Sequence, residues 1–184
     1  MSYLTEKNLG KILKEILPKH HFIHDKCVPN SNSRKRPDYR NEKLKLIIEF
    51  DGHSHYCQSK TILNDIKKDN CYRNLGYSIH RIPYFIQITE QVLQLLFNKK
   101  IKFEQKYPNG FIDSKAILPS DFCELGIQKF KKDLDKFHFH ENEIINSLKE
   151  KIKVLDDERL VLPKSLIYLI KKGDGIKPSP SIIT

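Results

Sequence analysis

The stretch RPDYRNEKLKLIIEFDGHSHY, residues 36–56, decides the fold class of this chain. Its centre, residues 43–50, alternates between polar and apolar and then becomes continuously apolar, which is typical of a central β-strand. Three acids surround that strand: Asp38 follows a proline, and Glu49 and Asp51 close the apolar run. Acids buried at a strand end cost free energy unless a cation pairs with them. That cation could be a lysine, an arginine or a metal ion.

The segments around this strand alternate between helical and extended patterns. Apolar residues at helical spacing, with capping residues before them and Pro or Gly after them, mark the helices. We expect helices over residues 5–17, 61–75 and 89–97, and strands over residues 20–28, 43–50 and 77–85. A strand–helix–strand unit such as residues 44–82 normally forms a parallel pair with a right-handed crossover. The sequence therefore predicts an α/β fold in which helices flank a small mixed central sheet.

The pattern changes after residue 100. A turn-rich segment is followed by three stretches with helical character, at residues 120–137, 141–154 and 163–171. We therefore divide the chain into a core, a mostly helical extension and a loose tail, at residues 1–100, 101–171 and 172–184.

Positive charge is concentrated in the first hundred residues. The chain of 184 residues has a net charge of +10, and residues 1–100 hold 18 Lys and Arg against 10 Asp and Glu. The remaining residues are nearly balanced, with 15 basic and 13 acidic side chains. A basic half favours a polyanionic partner such as nucleic acid. A lysine-rich proteome from an AT-rich genome would produce the same excess.

Several classes of protein are disfavoured by the sequence. No apolar run approaches the roughly 20 residues that span a bilayer. The first 17 residues are charged and amphipathic, unlike a secretory signal peptide. The four cysteines lie far apart without a C-x-x-C pair, which is typical of free thiols in a reducing compartment. We expect a cytoplasmic, intracellular protein with no membrane partner and no small-molecule cofactor.

The three acids could meet at one end of the sheet. In a hairpin, the residues before the turn lie beside the residues after it. Asp38 would therefore lie near Glu49 or Asp51. Three neighbouring carboxylates repel one another and bind protons unless a cation joins them. Magnesium takes such oxygen ligands, and a metal held in this way can activate water against a phosphodiester. The basic side chains beside them, which would meet phosphates, are Arg34, Lys35 and Arg36. For any one acid alone, a turn cap or a lysine pair is the simpler explanation.

The composite RPDY…LIIEFDGHSHY…D…GYSIHRIPY resembles the PD-(D/E)XK nuclease superfamily, in the branch around the very-short-patch repair endonucleases and related small DG-x-x-H domains. That branch shows a basic residue followed by P-D-F, a strand ending in E-x-D-G, a histidine soon after, and then a helix and G-Y-x-V-x-R. The resemblance covers residues 1–98. It implies a restriction-endonuclease-like fold and a DNA endonuclease that depends on Mg²⁺, for which Mn²⁺ could substitute.

The resemblance assigns roles to five residues. Asp38 would be the metal ligand of the PD motif, and Glu49 the acid of the D/E-x-K motif. Asp51 stands where most of the superfamily has a lysine that positions or activates the attacking water. An aspartate cannot do this electrostatically, so it would ligate the metal or act as a base. His55 would be a general acid or base or a phosphate contact, and Glu6 matches an acid on the first helix. The helical angle of Glu6 independently turns it inward.

The leading prediction is therefore a metal-dependent endonuclease of a restriction, mobile-element or repair type. Its metal ligands would be Asp38, Glu49 and Asp51, with His55 and Glu6 also catalytic. Further phosphate contacts are expected at Lys68, Arg73 and Arg81, whereas Asp65 and Asp69 are not expected to be ligands. The extension would read DNA or form a homodimer, since one such site cuts one strand at a time.

Two alternatives remain open. The aspartate at position 51 favours a degenerate nuclease fold that binds nucleic acid without cutting it. The second alternative is a zinc-stabilised interaction protein, since histidines and cysteines cluster twice, at His21, His24 and Cys27 and at His53, His55 and Cys57. Neither cluster has zinc-finger spacing, and strand residues three apart point to opposite faces.

Overall fold

Helices and strands alternate through the first hundred residues of the computed structural model, which describes residues 3–31, 34–112 and 117–171. In chain order the elements of this part are α1 (Glu6–Ile16), β1 (Ile23–His24), β2 (Tyr39–Asn41), β3 (Leu46–Asp51), α2 (Ser54–Cys57), α3 (Ser59–Asn74), β4 (Ser78–Pro83) and α4 (Glu90–Phe97). The predicted α/β class is confirmed.

The four strands form one mixed sheet in the order β1-β2-β3-β4. Strands β1, β2 and β3 are successively antiparallel, whereas β3 and β4 are parallel and are connected through α3. In this register Tyr39 lies opposite Ile48, and Glu49 lies opposite Arg81. The parallel pair expected from the strand–helix–strand unit is confirmed, and the register brings Asp38 to the carboxyl end of β3.

The first two strands differ from the prediction. The strand expected over residues 20–28 is reduced to Ile23–His24, because the next residue, Asp25, takes a left-handed backbone conformation with φ of 49°. Strand β2 was not predicted, since its central residue is a charged arginine. Arg40 is nevertheless buried, and it donates to the backbone oxygen of Cys27 at 2.9 Å and lies 3.2 Å from Glu42.

The part after residue 100 is helical, as expected. It contains α5 (Glu124–Lys136), α6 (Glu141–Leu155) and α7 (Tyr168–Lys171), with 3-10 turns at Pro119–Asp121, His138–His140, Glu158–Leu160 and Lys164–Leu166. The helix predicted over residues 163–171 is therefore a 3-10 turn followed by one short helix. The predicted tail at residues 172–184 lies outside the described residues.

One continuous apolar core joins the sheet to these later helices. The Phe85 ring stacks on Phe111 at 4.9 Å and meets Phe130 edge-on at 5.2 Å. Helix α5 also approaches α2 closely at Gly126. A Cβ at this position would lie only 1.7 Å from the backbone oxygen of Tyr56, so a residue with a side chain does not fit. The boundary predicted at residue 100 therefore separates segments that share a core.

Candidate functional site

Asp38 and Glu49 lie side by side on neighbouring strands. Asp38 directly precedes β2, and its Oδ2 accepts a hydrogen bond of 2.6 Å from the backbone N–H of Phe50. Glu49 lies in β3 and is 3% exposed. The register that sets Tyr39 opposite Ile48 brings Asp38 next to Glu49. Burial raises the pKa of Glu49, and the negative charge of Asp38 adds to that rise. The hairpin thus places this pair as the sequence predicted.

Lys68 of α3 is the cation at this pair. Its Nζ is 2.8 Å from Oε1 of Glu49, and its side chain is 11% exposed. The Oε1 atom has no hydrogen bond of good geometry among the described residues, so the contact is an ion pair rather than a directed hydrogen bond. The positive charge of Lys68 also acts to lower the pKa of Asp38. Lys68 was predicted to contact phosphate, and here its ammonium faces the acid pair.

Both carboxyls are poorly compensated in this environment. Burial raises the pKa of Glu49 to about 7, although the charge of Lys68 opposes that rise. Burial also raises the pKa of Asp38, and the N–H of Phe50 offsets it only in part. Desolvated carboxyls with raised pKa values are stabilised as anions when a further cation approaches. The pair is therefore suited to a divalent metal ion.

Glu6 lies on the helix that packs against Tyr39, the residue after Asp38. It opens α1, whose first turn is capped by the Thr5 side chain. Its charge contributes to the raised pKa of Asp38, which indicates that the two acids are close. Its Oε1 is 2.6 Å from Nε2 of His24, and its side chain is 45% exposed. The catalytic role of Glu6 stays a prediction, since its carboxylate is engaged with His24.

Asp51 has a separate set of partners. It is fully buried, with Nη1 of Arg81 at 2.6 Å from one oxygen and Nζ of Lys129 at 3.0 Å from the other. Burial would raise the pKa of Asp51, but the charges of Lys129 and Arg81 outweigh it and lower the pKa to about 2. Within the described residues, Asp51 does not form a compact three-ligand group with Asp38 and Glu49. Its contacts therefore do not support the prediction that it shares a metal ion with Asp38 and Glu49.

His55 joins the Asp51 network. Its Nδ1 is 2.5 Å from Oδ2 of Asp65 and 3.6 Å from Oδ1 of Asp51. Burial alone would lower the pKa of His55, but the hydrogen bond to Asp65 and the charge of Asp51 raise it. Since Nδ1 is engaged with Asp65, Nε2 is the nitrogen left to meet a substrate. These three residues could also hold a metal ion, yet Arg81 already supplies a cation there.

Arg81 is held by three carboxylates. Besides Asp51, it donates to both oxygens of Asp69, at 3.1 and 2.8 Å, and lies 3.3 Å from Asp65. Its side chain is 12% exposed, so its positive charge pairs with these carboxylates and is poorly placed to contact a phosphate. Arg73 is the contrasting case, since its side chain is 56% exposed and is 3.7 Å from Asp69.

The predicted basic turn lies beside α3. Lys35 donates to the backbone oxygen of Asn64 at 3.0 Å, and Arg36 is 3.3 Å from Asp25. Arg34 is exposed. These side chains stay near the surface, where they can still reach a phosphate.

The sequence interpretation missed the contribution of α5 to the site. Lys129 contacts Asp133 at 2.7 Å and the Tyr56 hydroxyl at 2.9 Å, in addition to Asp51. The Tyr56 hydroxyl also donates to Asp133 at 2.7 Å. One signal was available, because Asp133 lies between the apolar residues Phe130 and Leu134 of an amphipathic helix, where a charge needs a partner.

A second group of ligand atoms lies at the start of α2. His53 Nε2 is 2.7 Å from Oδ1 of Asp121, and His53 Nδ1 is 3.6 Å from Sγ of Cys57. The three residues could hold a transition metal. The zinc alternative had grouped His55 with His53 and Cys57, whereas the structure places Asp121 there. Burial and the charge of Asp121 raise the pKa of Cys57, so a metal would have to displace its proton.

Comparison with protein-family models, with curated proteins and with solved structures finds no match for this chain. Within residues 3–31, 34–112 and 117–171, no helix is long and apolar enough to cross a bilayer.

Proposed function

We propose that this protein is a divalent-metal-dependent DNA endonuclease with a restriction-endonuclease-like fold, acting at specific sites. The observation that carries the proposal is the placement of Asp38 and Glu49 on adjacent strands, both with raised pKa values, beside the ammonium group of Lys68. The mixed sheet and the basic first half of the chain are compatible with it.

The acid pair fits magnesium better than the three predicted ligands do. Magnesium is commonly held by one or two carboxylates while water and phosphate oxygens complete its coordination. Asp38 and Glu49 provide two such groups, and Oε1 of Glu49 is buried without a directed hydrogen bond among the described residues. A cation bound there would activate a water and stabilise the charge of the phosphodiester. Asp51 is left out, because Arg81 and Lys129 neutralise it.

The protein's own groups would position the reaction. Hydrolysis joins the water oxygen to phosphorus and breaks one P–O ester bond, and the leaving oxygen gains a proton as the water loses one. Lys68 lies against Glu49 and can orient the water or neutralise a phosphate oxygen. His55, with its raised pKa and free Nε2, can give a proton to the leaving oxygen.

The same geometry leaves a second candidate function. Lys68 already neutralises Glu49, and Asp51 cannot replace the water-positioning lysine of the superfamily. A module that binds nucleic acid without cutting it would have these features. Purified protein should therefore be tested for both binding and cleavage.

The experiment is plasmid cleavage with Mg²⁺ or Mn²⁺, using the wild type, Asp38→Ala and an exposed-acid control, Asp135→Ala. We expect wild type and control to cut and Asp38→Ala to bind DNA without cutting. Binding without cutting by the wild type would select the binding module. Failure to bind or cut would contradict both functions, and zinc analysis of the same sample would then test the zinc alternative.

A further inference from the structure

The exposed side of α1 carries a row of unpaired positive charges. Lys7, Lys11 and Lys14 are exposed and lie within about 60° of one another around the helix axis. Lys19 follows just after the helix. Among the described residues, none of these four lysines forms an ion pair.

The acids of the same helix are already engaged. Glu15 pairs with Lys106, and Glu6 is 2.6 Å from His24. The lysine row therefore keeps its full positive charge at the surface. Because neighbouring carboxylates do not neutralise it, this row attracts a polyanion more strongly than an equal number of paired lysines.

A groove of about 390 Å³ runs beside this row, between α1 and the segment that leads into β1. Lys14, Lys19, His20 and His21 line it. The Nδ1 atom of His20 is buried and has no hydrogen-bond partner among the described residues. A groove that has two lysines and two histidines in its lining suits an anionic ligand with hydrogen-bonding oxygens.

Tyr39 links the groove to the acid pair along the chain. Tyr39 lines the groove, and the preceding residue is Asp38. The Tyr39 hydroxyl donates to the backbone oxygen of Glu6 at 2.9 Å. A Cβ on Gly10 would lie 2.2 Å from that hydroxyl, so glycine lets the helix pack directly against β2. A ligand in the groove therefore lies against the start of β2, the strand that Asp38 precedes.

We infer that the α1 surface, defined by Lys7, Lys11, Lys14 and Lys19 with its groove, binds the phosphate backbone of the nucleic acid whose phosphodiester reaches Asp38 and Glu49. This inference rests on the proposed function. Lys7 and Lys14 are seven steps apart on the helix, which corresponds to a rise of about 10 Å. That distance spans about three steps of a duplex at 3.4 Å each. None of these lysines was among the DNA contacts predicted from the sequence.

The test measures binding of a fluorescent duplex of about 20 base pairs in EDTA while the salt concentration rises from about 50 to 200 mM. The variant combines Lys11→Gln, Lys14→Gln and Lys19→Gln. The control combines Lys99→Gln, Lys100→Gln and Lys132→Gln, which remove the same charge from exposed positions in the loop after α4 and on α5.

Each phosphate-contacting lysine contributes about one unit to the slope of log affinity against log salt. We expect the slope to fall by about 3 in the α1 variant and by less than about 1 in the control. The single substitutions Lys14→Gln and Lys19→Gln should each lower it by about 1. Equal slopes in the two triple variants would overturn the inference, as would a wild type that binds no DNA. Polyglutamate that binds as tightly as the duplex would also overturn the nucleic-acid assignment.

Cleavage separates this inference from the proposed function. If the wild type cuts plasmid and the α1 variant keeps the wild-type salt slope, only the inference fails. If the wild type never cuts but the α1 variant shows the expected loss of slope, the endonuclease proposal fails and the surface assignment stands.

Discussion

Replacing Glu49 with glutamine should change how the stability of the protein depends on pH. Glu49 is 3% exposed, and burial raises its pKa from 4.5 to about 7. Between these values the folded protein holds a proton on Glu49 that the unfolded chain has released. The free energy of unfolding therefore falls as the pH rises from about 4.5 to 7. The difference between the two pKa values corresponds to about 3 kcal/mol.

Glutamine resembles the protonated acid but does not titrate. We therefore expect Glu49→Gln and the wild type to be similarly stable near pH 4.5, and the variant to be more stable by about 3 kcal/mol near pH 8. Urea unfolding of both proteins across this pH range measures the difference, and other titrating groups cancel in it. The control is Glu104→Gln at an exposed position, where we expect a change within about 0.5 kcal/mol at every pH.

The same proteins test metal binding. A cation that binds only the folded state raises the free energy of unfolding. Well above the dissociation constant, this increase grows with the logarithm of the ratio of cation concentration to dissociation constant. Mg²⁺ near pH 8 should therefore stabilise the wild type more than Glu49→Gln. A difference between the two proteins that does not change with pH, or a variant less stable than wild type near pH 8, would refute this account of Glu49.

Two further substitutions test the neighbouring cations. Arg81→Met leaves Asp51 buried with one cation fewer, and should lower the free energy of unfolding by about 3–5 kcal/mol. The exposed control Arg73→Met should cost about 1 kcal/mol or less, and equal losses in urea unfolding would contradict the buried network. Lys68→Met should slow plasmid cleavage by about a hundredfold or more at unchanged DNA affinity, whereas the exposed Lys67→Met should not. Equal cleavage rates for these two variants would remove Lys68 from the reaction.

The sequence predicted the part of the site that depends on local pattern. The apolar run of β3 and the connection that leads into it from Asp38 predict a hairpin, and the hairpin places Asp38 beside β3. Strand β2 was missed because propensity does not reveal that Arg40 is buried through its contacts with Cys27 and Glu42. The burial of Arg40 in β2 depends on these contacts, which the local sequence pattern does not reveal.

The partners of Asp51 could not be predicted from local pattern, because its cations come from distant segments. Arg81 lies 30 residues away, and Lys129 belongs to a helix on the far side of the predicted boundary. Periodicity identified α5 as a helix, but not which element it packs against. A buried acid in the sequence requires a cation without specifying its source.

The buried charge of Asp51 depends on helix α5. A fully buried, ionised Asp51 needs more positive charge than Arg81 provides, because Arg81 is shared with Asp65 and Asp69. Lys129 supplies the remainder. Helix α5 therefore neutralises Asp51, while Lys68 of α3 brings an ammonium group to Glu49. Under the proposed nuclease function, Lys68 on the helix would take the part of the strand lysine in the superfamily that the sequence resembles, and Glu49 keeps a cation beside it.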